Sequence, residues 1–191
     1  VGPRERVGLG ADDNASGTAA LMEVAEALAL ARPARGIWCV GFTAEEDGLL
    51  GSAAFVADLP MPREQLVGMV NLDMLGRGDP KHVVTLGFRS NPGMRDVVAR
   101  AERLGNTGIK KVEECSDVGL FQRSDHYSFH TAGIPTVFFF ENFPIESNRD
   151  YHTWRDVADL VDFDKVRNTA RLAFHTAWVL AEERSRLGPP K

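Results

Sequence analysis

Three features are scarce or absent in this sequence, and each absence excludes a class of protein. No apolar run approaches the ~20 residues that a membrane-spanning helix needs, and the longest such run, residues 134–140, has the length of a strand. The 2 cysteines, Cys39 and Cys115, are too few for a disulfide scaffold or for a zinc site built on thiolates. No basic stripe occurs and the formal net charge is -5, so we do not expect a nucleic-acid partner.

The sequence does contain an alternation of apolar, strand-length runs with helix-length segments. We predict helices at 16–31, 49–57, 92–104, 126–132 and 163–184, and strands at 37–42, 67–72, 83–88, 110–113 and 136–140. Because the strands are apolar on both faces, they indicate an α/β three-layer sandwich around a mostly parallel sheet. No linker or repeat divides residues 1–191, so we expect a single domain.

Polar residues follow several of the predicted strands, which is where open α/β sheets bind their ligands. Glu45 and Glu46 come after strand 37–42, Asp73 follows strand 67–72, and His152 lies in the loop after strand 136–140. Asp12 precedes the first helix, where a further strand would end. We therefore expect these carboxylates and the imidazole to meet at one edge of the sheet.

Carboxylates crowded together repel one another and lose hydration, and a divalent metal removes that cost. Oxygen and nitrogen ligands without thiolate suit zinc, or less selectively manganese or cobalt. Because the side chains of adjacent residues diverge, we expect Glu45 and Glu46 to have different roles. One would bind the metal, and the other would accept a proton from a water that the metal acidifies.

Each candidate also has an ordinary structural interpretation. Asp12 and Asp13 are typical helix caps, Asp73 could cap a turn, and the two glutamates could belong to a solvated loop. A single histidine such as His152 is more often a hydrogen-bonded surface residue than a ligand. The coincidence of several strand-end positions favours the metal site over these separate explanations.

The segments that carry these residues resemble peptidase family M28, a family of zinc peptidases with two metal ions. The similar segments follow the family's order: GADDNASG at 10–17, TAEEDGLLGS at 43–52, NLDM at 71–74, SDH at 124–126, GIP at 133–135 and YHT at 151–153. The likeness covers nearly the whole chain, and the first two segments together are its most specific part. It implies the zinc-exopeptidase (phosphorylase/hydrolase-like) fold and a peptide substrate.

Carried over to this sequence, the resemblance implies a role for each candidate. Glu45 would be the general base, and Tyr151 would donate a hydrogen bond to the developing oxyanion. Four side chains would hold the zinc: Asp12 as the carboxylate that bridges two ions, Glu46 and His152 on one ion, and Asp73 on the other.

One element of the family's pattern does not occur. The family carries a His-x-Asp element upstream of the GADDNASG segment, and residues 1–10 contain nothing similar. His126 and His130 are spaced like a helical metal pair, but no glutamate stands between them, so we interpret them as a pocket-wall and a structural residue. We expect an N-terminally truncated catalytic domain with one complete zinc site and a second that lacks a ligand.

The leading functional hypothesis is a zinc-dependent aminopeptidase. A single-zinc glutaminyl cyclase of the same fold is an alternative, because it needs only an Asp, a Glu and a His as ligands. A third hypothesis is a binding domain that has lost catalysis, although the retained Glu45 argues against it. M20-type deacylases also carry paired glutamates, but the segment after their bridging aspartate differs. The resemblance favours a secreted or periplasmic location and leaves the oligomeric state open.

Overall fold

The computed structural model describes residues 8–183 and 186–190, and a four-stranded sheet lies at its centre. The strands are β1 (Met69–Leu72), β2 (His82–Leu86), β3 (Lys111–Glu114) and β4 (Thr136–Phe140), in the spatial order β1-β4-β2-β3. β1 pairs with β4 and β2 with β3 in parallel, whereas β2 and β4 pair antiparallel. The predicted α/β class with a mostly parallel sheet is confirmed.

Helices cover both faces of the sheet. On one face α6 (Phe163–Glu182) packs between α1 (Gly17–Ala31) and α3 (Pro92–Leu104). On the other face α5 (His126–Thr131) contacts β1 and β4, and α2 (Leu50–Ala57) packs against α5. A short helix that the sequence did not predict, α4 (Val118–Phe121), adds Leu120 to this second face.

The core divides between the two faces of β4, a strand that is buried along its whole length. Val137 and Phe139 pack with α1, α3 and α6, while Phe138 and Phe140 pack with Leu120 on the opposite face. Burial of each such side chain contributes on the order of 2 kcal/mol. This two-sided burial explains why the strand has no polar alternation.

Local signals set the ends of the main helices. Pro92 occupies the first turn of α3, where its missing N–H costs nothing, and the Asp162 carboxylate accepts the Lys165 backbone N–H at the start of α6. α6 confirms the helix predicted at 163–184 as far as Glu182, while Arg184 lies outside the described residues. Within the described ranges, no helix is both long and apolar enough to cross a membrane.

The strand predicted at 37–42 is wrong. Residues 36–42 pair with no strand in the part of the chain that the structure describes, and Trp38 and Cys39 are exposed. An apolar groove of about 420 Å³ lies between this segment and the residues around β1, with Val24 and Phe55 among its lining. Apolar composition favours a strand, but a strand also needs a neighbouring edge for its hydrogen bonds.

Candidate metal centre

Side chains that can bind a metal gather beyond the carboxyl end of β1. Asp73 directly follows β1, and Glu45 and Glu46 lie in the loop that precedes α2. The turn Ala11–Ser16 leads into α1, and His152 lies in the long connection between β4 and α6. Four segments that are distant in sequence therefore meet at this end of the sheet, as expected for an open α/β fold.

The turn Ala11–Ser16 departs from helical geometry at Asp13 and Asn14, which are joined by a cis peptide bond. Gly10 begins the turn at φ +61°, and a Cβ there would lie 2.6 Å from the Asp13 carbonyl oxygen, so a glycine is required. The Asp12 side chain is fully buried, whereas that of Asp13 is 14% exposed and lines the pocket with the two glutamates.

Asp13, Glu46 and His152 form the tightest group of possible metal ligands among the described residues. One ligand atom from each lies within 4.8 Å of the others. His152 Nε2 is 2.8 Å from Glu46 Oε1 and 3.1 Å from Asp13 Oδ2. Two oxygens and an imidazole nitrogen arranged in this way suit zinc.

Asp73 lines the same pocket, although it lies outside this group of three. Its Oδ2 accepts a 2.7 Å hydrogen bond from Ser124 Oγ, which in turn accepts one of 2.7 Å from Asn71 Nδ2. Its Oδ1 is buried and has no hydrogen-bond partner among the described residues. A buried carboxylate oxygen without a partner is costly, and a cation in the pocket would satisfy it.

Three carboxylates of the pocket, those of Asp13, Glu45 and Asp73, hold their protons more tightly than usual. Burial first, and the charges of neighbouring acids second, raise the pKa of Asp13 to about 7 and that of Glu45 to about 8. Burial is also the largest cause that raises the pKa of Asp73 to about 6, against the hydrogen bond from Ser124. The acidic cluster therefore favours added positive charge, which fits a divalent metal.

Asp12, which the sequence suggested as the bridging ligand, is not among the side chains that the structure brings together here. Its Oδ1 accepts hydrogen bonds from the Gly76 N–H at 2.7 Å and from Ser16 Oγ at 3.2 Å. Its Oδ2 accepts one of 3.1 Å from Asn148 Nδ2 and lies 3.7 Å from Arg77 Nε. Asp12 thus points into the protein and ties segments together, and the adjacent Asp13 takes the position in the pocket.

Tyr151, which the resemblance suggested as an oxyanion donor, lies beside the candidate ligand His152. Its ring stacks on that of His152 with 3.8 Å between centroids, and Arg123 Nη2 donates a 2.9 Å hydrogen bond to its phenol oxygen. Burial, the largest cause, raises the pKa of Tyr151 to about 12. The phenol therefore keeps its proton and can donate it in a hydrogen bond.

Beneath the pocket lies a polar network that sequence reasoning missed. Glu141 follows β4, is 2% exposed and accepts a 3.0 Å hydrogen bond from Asn148 Nδ2. Burial first, and then Asp12, raise the pKa of Glu141 to about 9. Asp156 is 3% exposed and contacts the turn that carries Asp12 and Asp13. No motif marks these residues, because their partners are distant along the chain.

Comparison with known proteins connects this geometry to a family. Residues 1–177 match the model of peptidase family M28. Leucine aminopeptidase 1 of Coccidioides posadasii is 30% identical over 185 residues, which cover 90% of this chain and 47% of that protein. A probable zinc metalloprotease of Leptosphaeria maculans is 28% identical over 210 residues, with 91% and 48% covered. The chain therefore spans about half the length of these curated relatives.

Solved structures agree with the sequence relatives. The aminopeptidase from Aneurinibacillus sp. strain AM-1 superposes with a TM-score of 0.77 at 29% identity, over 96% of this chain and 43% of that one. The glutaminyl cyclase of Bacteroides thetaiotaomicron superposes with a TM-score of 0.67 at 22% identity, over 90% and 63%. The second likeness concerns the fold alone.

Proposed function

Since this chain belongs to peptidase family M28, we propose that it carries the zinc-binding and catalytic residues of an aminopeptidase. The observation that supports this most directly is the group formed by Asp13, Glu46 and His152, with the unpartnered Oδ1 of Asp73 in the same acidic cluster. A similar leucine aminopeptidase and a similar zinc metalloprotease agree with that chemistry.

Four side chains would hold zinc: Asp13, Glu46, Asp73 and His152. Asp13, rather than Asp12, would be the aspartate of this turn that holds the metal, because it lies 3.1 Å from His152 and in one group with Glu46. Zinc, when bound, would polarise the carbonyl of the scissile bond and make the attacking water more acidic. The remaining steps fall to protein groups around it.

Glu45 is the proposed general base. It adjoins Glu46 in sequence and lines the same pocket, and among the described residues no hydrogen bond engages its carboxylate. The carboxylate would accept a proton from the attacking water and deliver it to the leaving amine. A half-buried acid surrounded by other acids is suited to both steps, because it binds the proton more readily than a solvated glutamate does.

Tyr151 is the proposed oxyanion donor. Arg123 donates to the phenol oxygen, so one of its lone pairs is already occupied. The phenol O–H remains available to donate to the oxygen that becomes negative as the tetrahedral intermediate forms.

Replacement of the base tests the mechanism. We expect Glu45→Gln to bind zinc like the wild type but to lose turnover of aminoacyl substrates by at least about 100-fold. Asp47→Asn, an exposed change two positions along, serves as the control. Normal hydrolysis by a zinc-loaded Glu45→Gln protein would show that Glu45 is not the base.

Glutaminyl cyclase remains the second candidate, because Asp13, Glu46 and His152 alone provide the Asp, Glu and His of a single-zinc site. The two activities are separated by offering the zinc-loaded protein a peptide with N-terminal glutamine and one with N-terminal leucine. Release of leucine supports the aminopeptidase, whereas cyclisation of glutamine without release of leucine supports the cyclase.

A further inference from the structure

The loop of residues 148–156, which carries Tyr151 and His152, is held at its C-terminal end by Asp156. The Asp156 carboxylate accepts the backbone N–H of Asp12 at 3.0 Å through Oδ1 and that of Asp13 at 3.0 Å through Oδ2. The Ala11 N–H donates to the Asp156 carbonyl oxygen at 3.3 Å. One buried side chain therefore fixes the backbone on which Asp13 is mounted.

Asn148 holds the N-terminal end of the same loop. Its Nδ2 donates both to Asp12 Oδ2 at 3.1 Å and to Glu141 Oε1 at 3.0 Å. Asp12 in turn accepts the Gly76 N–H at 2.7 Å, just beyond β1. The N-terminal end of the loop is thereby joined to the segments that follow β1 and β4, at Gly76 and Glu141 respectively.

Between these two anchors the loop is internally braced. The Thr153 N–H and hydroxyl both donate to the Asp150 carbonyl oxygen, at 3.0 and 2.8 Å. His152 itself has φ +56°, a left-handed conformation that is uncommon for residues other than glycine. Such a conformation persists where the surroundings determine it, and here the surroundings are the two anchors.

We propose that Asn148 and Asp156 are positioning residues that clamp the 148–156 loop onto the Asp12 side chain and the Asp12–Asp13 backbone and so set the distance between His152 and Asp13. This inference rests on the proposed zinc site, because it assigns the clamp a role in metal affinity. His152 Nε2 and Asp13 Oδ2 are 3.1 Å apart, and both belong to segments that the clamp joins. Loss of either anchor should let the histidine move away from the aspartate without removing a ligand.

The test measures zinc affinity of the chain by competition with a chromophoric chelator, with the fold of each variant checked by circular dichroism. We expect Asn148→Ala and Asp156→Asn each to weaken zinc binding by about tenfold or more, the usual effect of losing a group that orients a ligand. Asn142→Ala, in the same connection, and the exposed Asp159→Asn are the matched controls and should bind zinc like the wild type.

A double-mutant cycle separates positioning from a general loss of stability. If the clamp acts through the histidine, Asn148→Ala, which leaves the Asp156 contacts to the Asp13 backbone in place, should change zinc affinity by less than about twofold once His152→Ala is present. Equal losses with and without His152, or wild-type affinity in both anchor variants, would overturn the clamp. Absence of zinc binding by the wild-type chain would instead overturn the proposed function.

Discussion

Acid should destabilise this fold through His126, a histidine that is 0% exposed. The ring stacks on Phe138 at 4.7 Å and meets the edge of Phe121 at 4.8 Å between centroids. Its Nε2 has no hydrogen-bond partner among the described residues. Burial, the largest cause, lowers the pKa of His126 from 6.5 to about 3, so the folded protein keeps this ring neutral.

The direction in which stability changes with pH depends on which state, folded or unfolded, binds the proton more readily. Below pH 6.5 the unfolded chain protonates His126, whereas the folded protein does so only near pH 3. Stability is therefore lost as pH falls from 6.5 towards 3. Between pH 7 and pH 5, protonation of His126 stabilises the unfolded state relative to the folded one by about 2 kcal/mol. This is about 1.4 times the ~1.36 kcal/mol that corresponds to one pH unit.

The assay is urea unfolding of metal-free protein at pH 7 and pH 5, followed by tryptophan fluorescence. His126→Gln removes the titrating ring. The free energy of unfolding of this variant should therefore fall between pH 7 and pH 5 by about 2 kcal/mol less than that of the wild type. The pocket acids titrate in both proteins, so their contribution cancels in the comparison. His130→Gln, on the same helix, is the comparison and should reduce the pH dependence by less, because burial lowers the pKa of both rings and His130 is the less buried of the two. Equal pH dependence in the wild type and His126→Gln would refute the argument.

Three further predictions concern the pocket and the core. Zinc affinity should rise between pH 6 and pH 8 and binding should release protons, because the proposed ligands Asp13 and Asp73, with pKa values of about 7 and about 6, hold protons that the metal displaces. Calorimetry in buffers of different ionisation enthalpy measures this, and a flat pH profile would contradict it. Gly10→Ala should weaken zinc binding by about tenfold and destabilise the fold by ~1–3 kcal/mol, because φ +61° and the Asp13 carbonyl oxygen leave no room for a Cβ. Competition with a chelator measures the zinc affinity, and urea titration measures the free energy of unfolding. Leu75→Ala should cost ~2–5 kcal/mol in the free energy of unfolding, because Leu75 is 0% exposed, whereas the 53% exposed Leu104→Ala should change it little.

Sequence patterns predicted the regular elements well where the signal was local. The apolar run of β4, the amphipathic repeat of α3 with Pro92 at its start, and the capped helix α6 all occur close to their predicted positions. The prediction failed at residues 37–42, whose composition resembles that of β4. Composition reports how apolar a segment is, but pairing depends on whether another edge lies beside it.

The order of residues along the chain is enough to predict the chemical groups of the candidate site: an acidic pair in the turn before α1, paired glutamates, an aspartate after β1 and a histidine in a late loop. It did not determine which member of the pair Asp12–Asp13 faces the pocket. Adjacent side chains diverge, and both residues are the same amino acid. The choice is made by the left-handed Gly10 and by Asp156, which accepts both backbone N–H groups from a position 144 residues away from Asp12. Only the folded chain can bring that carboxylate to the turn, so the tertiary structure decides which aspartate faces the pocket.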